Sequence, residues 1–453
     1  MKNEKLKQSI FSKRTFAKGC LSPWSIFVAC CILLVMSILF IDCEYNNKPG
    51  IIYPVMTTDT TGSPTITGIL PAATAIAGVR EITIVGANLG IKNGDTNWIY
   101  IGGVQPIIKE IQESHITIYR PSLSNDRYGK TIDVSVTNPK LIENSSHIAY
   151  SVELPGAVVG DYTSISTILA IACDNQASEN LYTTSPGKSL YRTDFAGVSL
   201  SILLNSINLS SGEYVSMTDM SFGPGAYEKN LFFADGKNYI ARTFVADTIF
   251  GNKKYTPIKL TVPAEVSQLD FDEKGNLYVC GNGNFYVADS SVGTSTAPTF
   301  TPMTGYTGGL NIRKIHVVKE SGNDYLYVAD SLGVWKCQIA GSSLVSCAQV
   351  VNLLSDPALS TCLITSFEID EHSSIFLCLK NHPKYSLFIR ENDGSITPFY
   401  YDPTILPHTV DKLVWGNSKY LYLISSSLAG AGKIYRLTLD RYGAPYYGRT
   451  FIR

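Results

Sequence analysis

One apolar and aromatic strand recurs six times in the C-terminal two thirds of the chain, and no other feature restricts the fold so tightly. It reads NLYTTS from Asn180, NLFFAD from Asn230, NLYVCG from Asn276, YLYVAD from Tyr325, SIFLCL from Ser374 and YLYLIS from Tyr420. The second residues of these words fall at 181, 231, 277, 326, 375 and 421, a period of about 48 residues. Self-similarity at such a period marks supersecondary units that bury their apolar faces only against one another. Each copy is preceded by a further strand (LAIAC, TDMSF, LDFDE, IHVVK, FEIDE, KLVWG) and followed by another (SLYRTD, NYIARTF, NFYVADS, GVWKCQI, YSLFIREN, KIYRLTLD). Turns such as SPGK, DGKN, GNGN and DSLG supply the Gly and Asn that tight hairpins need. A fourth run closes each unit: VSLSILLN, TPIKLTV, APTFTPM, LVSCAQVV, ITPFYYD and finally YYGRTFIR. Four strands in each of six units predict a six-bladed β-propeller over residues 154–453.

The period also interprets a repeated word. YVADS occurs from Tyr286 and again from Tyr327, 41 residues on, which misses the repeat. The first copy falls on the third strand of one unit and the second copy on the second strand of the next. Asp289 and Asp330 are therefore not members of one ring of ligands, and each is expected to be a strand ending in an Asp/Ser turn.

Residues 64–153 carry a different grammar. Short alternating runs, PTITGILP, REITIVGANLG, NWIYIGGVQP, HITIYRP, KTIDVSVTNP and HIAYSVELP, are separated by turn signals, the mark of a sandwich of about seven strands. Alternation of Ile82 with Ile84, and of Ile132, Val134 and Val136, gives each strand one buried face. Gly102 and Gly103 are expected in a turn where a side chain would clash. With ITGILP, ITIVGANLG, IYIGGV and IDVSVTN in order, this stretch resembles an IPT/TIG domain. The resemblance implies an immunoglobulin-like sandwich that serves as spacer or binding module, with no catalytic constellation to carry over. His115 and His147 lie beside strands with no second metal ligand near them in sequence and are expected to be ordinary histidines.

The repeat unit resembles NHL-type and related six-bladed propellers, most visibly in GNLYVCGNGNFYVADS, DYLYVADSLGVWK and KIYRLTLD. Such propellers include scaffolds, protein-binding surfaces, and some hydrolases or lyases with His or carboxylate clusters and a metal near the central channel. Here His316, His372, His382 and His408 are scattered, without HxH or HExxH spacing, and no GxSxG elbow, P-loop or Asp-box occurs. No cofactor and no metal site is expected.

The N-terminus is distinct. Residues 1–19 hold six Lys/Arg against one Glu, and WSIFVACCILLVMSILFI then gives 18 uncharged residues, an export or anchoring segment with its basic end toward the cytoplasm. Cys43 follows in LFIDCEY, which resembles a bacterial lipobox, although Phe40 and Asp42 stand where the usual pattern has an aliphatic and a small residue. Residues 1–43 therefore read as a signal peptide lipidated at Cys43, or as an uncleaved anchor. Residues 44–63, rich in Thr, Asn, Gly and Pro, read as a tether. Both readings export the rest of the chain to the cell envelope, with outer membrane or surface favoured.

Charge and cysteine content narrow the function. Residues 1–42 hold six of the 37 bases and two of the 38 acids, leaving 31 against 36 and a net charge near −5. Without clustered Lys/Arg, nucleic acid is excluded as partner. No CxxC is present, so a thiolate metal site is not indicated. In an oxidising compartment Cys337 with Cys347, or Cys362 with Cys378, can pair, or all can remain small core residues.

The fold class read from the sequence is thus all-β: an immunoglobulin-like sandwich and a six-bladed propeller behind an N-terminal anchor segment. The function it favours is non-enzymatic binding of a protein or glycan at the envelope. Tyr400, Tyr401, Tyr446 and Tyr447, in TPFYYDPT and GAPYYGRT, are its candidate ligand contacts, since Tyr offers rigid amphipathic area; packing between blades is the other role open to them. Two alternatives are a hydrolase or lyase whose acids come from several blades, and a structural envelope scaffold.

Overall fold

Seven strands between Thr65 and Ser151 form two antiparallel sheets. One has the spatial order Thr65–Leu70, Glu81–Ala87, His115–Tyr119, Ile108–Ile111, the other Trp98–Ile101, Thr131–Thr137, Ser146–Ser151. The structure is a computed structural model, and its described residues are 63–90, 97–138, 145–159, 167–174, 179–185, 190–193, 200–204, 217–245, 258–407, 409–425 and 433–444. Ile82, Ile84, Ile116, Ile118, Val134 and Val136 point inward and join a single apolar core. Strand Ile108–Ile111 was not legible in sequence, because IKEI has no alternation and only its ends are partly buried. Gly102 and Gly103 take positive φ of 54° and 76°, the left-handed turn expected of them.

Six four-stranded antiparallel sheets follow. Their innermost strands are Ala170–Cys173, Asp219–Phe222, Gln268–Phe271, Lys314–Glu320, Leu363–Ile369 and Lys412–Trp415, here blades one to six. Inner strands neighbour one another in that order, and the sixth returns to the first, so the ring is closed. A recurrent bond staples the blades: a side chain on one inner strand accepts a backbone N–H from the next. Asp219 Oδ2 accepts from Leu269 at 3.1 Å, Asp270 Oδ2 from Val317 at 2.8 Å, and Ser366 Oγ from Leu413 at 3.2 Å.

Ring closure corrects one expectation. The outer strand of blade six is Ala157–Val158, which pairs with Lys433–Thr438 through Val158 opposite Tyr435 and Ala157 opposite Arg436. Val159 N–H then donates to Ile434 at 2.9 Å. The sequence had assigned this place to YYGRTFIR, which lies outside the described residues. The entering strand takes it because closure joins the two ends of the repeat array in one blade, leaving only a short outer edge.

The sandwich docks on blades five and six. Arg80 donates from Nε to Phe399 O (2.9 Å), from Nη1 to Glu391 (2.6 Å) and from Nη2 to Thr397 Oγ1 (2.7 Å). Ser122 N–H reaches Asp402 at 3.1 Å, and Gly78 N–H reaches Thr438 O at 2.6 Å. A Cβ on Gly78 would lie 2.7 Å from Leu439 Cα, so only glycine permits this approach. Buried Arg120 donates to the carbonyls of Ala75, Ile76 and Val79, shaping the docking loop from inside the sandwich.

Of the two cysteine pairs left open by the sequence, Cys337 and Cys347 are bonded, on adjacent strands of blade four. Cys173, Cys280, Cys362 and Cys378 are buried thiols.

Candidate functional site

The inner strands bring charged residues from four blades and a fifth together at the channel: Asp219, Asp270, Lys314, His316, Glu368 and Lys412. Lys314 Nζ lies 2.8 Å from Asp219, and His316 lies 3.2 Å from Asp270 through Nδ1 and 3.4 Å from Glu368 through Nε2. His316 Nε2 also lies 3.2 Å from Phe367 O. Burial opposes the charge on His316, but Glu368 and Asp270 outweigh it and hold the imidazole above its ordinary range; for Lys314, Asp219 and Glu368 outweigh burial in the same way. Lys412 has the opposite balance: burial, helped by Lys314, brings it down to about 8 while its ammonium donates to Thr218 O at 2.6 Å.

Acids from several blades do converge, as the hydrolase alternative requires. Both ring nitrogens of His316 are nevertheless engaged and each acid faces a cation or backbone donor, so the cluster is an inter-blade staple rather than a poised acid–base pair. Linear scanning missed it because its members are spread over 193 residues of sequence, from Asp219 to Lys412. The available signal was a charged residue within inner-strand words such as TDMSF, LDFDE and FEIDE.

The expected ligand tyrosines fall elsewhere. Tyr400 is 4% exposed, donates its hydroxyl to Ala77 O of the sandwich and lies under Arg120, whose guanidinium is 6.0 Å from the ring centroid. Burial pushes its phenol up to about 12. Tyr401 stacks on Tyr119 of the sandwich with centroids 3.8 Å apart. Tyr400, a candidate ligand contact in the sequence, thus has its hydroxyl at the sandwich loop and its ring under Arg120, and Tyr401 stacks beside it on the same domain. Tyr446, Tyr447 and Cys43 lie outside the described residues.

A cleft of about 540 Å³ opens between blades three and four, within the range of small-molecule sites. Its polar lining includes Asp272, Lys274, Asn276, Asp289, Thr301 and Asp324, with Tyr278 and Ile339 as apolar surface. The turn after the inner strand of blade three builds one wall. Asp272 Oδ1 accepts the N–H groups of Lys274 and Asn276, both at 2.9 Å, while Oδ2 accepts from Asn276 Nδ2 at 2.6 Å and Tyr278 hydroxyl at 3.1 Å. Burial, then Asp272, drives the Tyr278 phenol far above its usual range, so it stays a donor. Asp324 comes from blade four, and its Oδ1 is buried with no hydrogen-bond partner among the described residues.

The two YVADS copies separate as the period required. Asp289 accepts from Ser291 N–H at 3.0 Å and lines the cleft, its carboxyl held low by the Ser291 hydroxyl and N–H. Asp330 is buried and accepts from Leu332, Gly333, Gly309 and the Trp335 indole. Both end a strand in a turn.

The remaining histidines do not meet. His372 lies in the turn capped by Asp370, and His382 stacks on Tyr385 and accepts N–H bonds from Lys384 and Tyr385. His408 lies outside the described residues.

Comparison with family models matches residues 64–152 to the IPT/TIG domain. That segment is an IPT/TIG domain. Comparison with curated protein sequences finds none similar to the chain. Among solved structures, the chain is similar to an auxiliary nutrient binding protein from Bacteroides thetaiotaomicron at 12% identity and a TM-score of 0.45, over 83% of this chain and 98% of that one. Its counterpart from Bacteroides ovatus has the same identity, score and coverage. A gluconolactonase from Xanthomonas campestris is similar at 11% identity and a TM-score of 0.41, over 69% of this chain and 91% of that one. At such scores the likeness carries nothing about ligand or activity, and the IPT/TIG domain and the propeller must be interpreted from their own geometry.

Proposed function

We propose that this chain is a binding protein of the cell envelope that captures a glycan in the cleft between blades three and four. The observation that carries this reading is the cleft itself, with the Asp324 carboxylate oxygen buried at its wall and lacking a protein donor. Carboxylates, an amide and hydroxyls line the cleft, a set of donors and acceptors that suits the hydroxyls of a sugar. The channel charges are neutralised among themselves, and Tyr400 and Tyr401 hold the IPT/TIG domain in place. The cleft has a polar group to spare in Asp324 Oδ1. The docked IPT/TIG domain then acts as a rigid mount between the N-terminal segment and the propeller.

The test is an oligosaccharide array probed with the full chain in detergent micelles, followed by calorimetry on any hit. Saturable binding that falls about tenfold in Asp324→Ala, with thermal stability unchanged, supports the reading. Absence of binding across the array, or binding indifferent to Asp324→Ala, overturns it. Protease added to intact cells tests location: loss of the propeller while a periplasmic control survives is the expected result.

A further inference from the structure

A second constellation lies on the solvent face of the IPT/TIG domain. His147 Nδ1 is 2.9 Å from Asp133 Oδ2, and His147 Nε2 is 2.7 Å from Ser145 Oγ. The strand register explains the meeting. Ser135 pairs with His147 and Asp133 with Ala149, which places Asp133 and His147 diagonally on one face, while Ser145 and His147 share that side two residues apart. The side chains of His147 and Asp133 are 53% and 58% exposed, beside a shallow groove of about 320 Å³ that both line.

One tautomer of His147 suits this order of contacts. An ionised carboxylate only accepts, so Nδ1 carries the hydrogen, and the Nε2 lone pair then accepts from the Ser145 hydroxyl. Nucleophile, base and orienting acid are in the sequence of contacts that activates a serine toward acyl carbon. The same domain contains a natural control: Ser114 Oγ lies 3.3 Å from His115 Nδ1, with no carboxylate bonded to that ring among the described residues.

We propose that Ser145 is an activated nucleophile toward small, unhindered acyl esters, with His147 as general base and Asp133 as positioning residue. Ser145 Oγ attacks the acyl carbon as its proton passes to Nε2. Collapse of the tetrahedral adduct breaks the ester C–O bond, and His147 returns the proton to the departing alkoxide. Water, deprotonated by Nε2, then attacks the acyl carbon; the bond from that carbon to Ser145 Oγ breaks, His147 returns the proton to Oγ, and the acid departs. This step is independent of the cleft between the blades, so glycan binding can fail without touching it.

The experiment is timed labelling of the full chain with a fluorophosphonate, with peptide mapping by mass spectrometry. Ser145 is expected to label at least about 100-fold faster than Ser114, a margin typical of general-base assistance. His147→Ala should abolish that margin. Asp133→Asn should lower it about tenfold or more and Asp133→Glu restore part of it, a rescue that a merely structural role would not produce. Exposed positions make these variants compatible with an unchanged thermal midpoint. Equal labelling of Ser145 and Ser114, or labelling of Ser145 indifferent to His147→Ala, overturns the proposal.

Discussion

Arg80 Nη1 lies 2.6 Å from Glu391 Oε1, an ion pair across 311 residues that fastens the IPT/TIG domain to blade five. The same guanidinium bonds Phe399 O and Thr397, and stands 5.7 Å from the Phe399 ring centroid. One side chain thereby joins a domain that leads into the ring to a blade near its end.

Arg80→Ala is expected to lower stability by about 1–3 kcal/mol, the usual cost of losing hydrogen bonds to a charged group. Limited proteolysis should then release the IPT/TIG domain at protease levels that leave the wild type intact. Tyr400→Phe, which keeps the ring and loses the bond to Ala77 O, is expected to cost about 1 kcal/mol by the same measurement.

Closure depends on a very short strand, since Ala157 and Val158 make the pairings and Val159 N–H adds one bond to Ile434. Val159→Pro removes that donor and should loosen the closure of blade six, costing about 1 kcal/mol. Gly78→Val attacks the same corner by driving a side chain into Leu439. Hydrogen exchange of Lys433–Thr438 should rise in both variants while blades three and four stay protected.

The channel gives two opposed pH responses. His316 has a folded-state pKa raised above 6.5, so its stabilisation is complete below 6.5 and disappears as pH rises through the folded value. Lys412 is lowered from 10.5 to about 8, so the unfolded chain holds a proton the folded one has released, and stability rises between about 8 and 10.5. Thermal midpoints across pH 5.5 to 10.5 should lose the first response in His316→Gln and the second in Lys412→Met. His316→Gln should also cost about 3 kcal/mol or more, because Asp270 and Glu368 lose their shared cation.

Cys337 and Cys347 close a loop of 10 residues in blade four. Replacing both with Ser should lower stability by up to about 3 kcal/mol, the loop-entropy estimate for such a short crosslink. Reductant should shift the thermal midpoint of the wild type and leave the double variant unmoved.

How much was legible follows from where the information resides. The words from NLYTTS to YLYLIS give blade number and strand order because every blade must bury the same faces, and Ile82, Ile84, Val134 and Val136 mark the sandwich core by period two. Strand Ile108–Ile111 escaped because its pairing is set by its neighbour, not by its own pattern. Tyr400 and Tyr401 were visible as an aromatic pair in TPFYYDPT, but a tyrosine that awaits a ligand and one that docks a domain have the same spelling.

The sequence alone determined the architecture, since hydrophobic alternation, turn residues and a repeat of about 48 are local quantities written along the chain. Only tertiary structure decided which residue meets which: Ala157–Val158 closing blade six, Arg80 reaching Glu391, His316 held between Asp270 and Glu368, and His147 between Asp133 and Ser145. Such meetings depend on strand register and ring closure, which bring together groups whose separation in sequence reveals nothing of their distance in space.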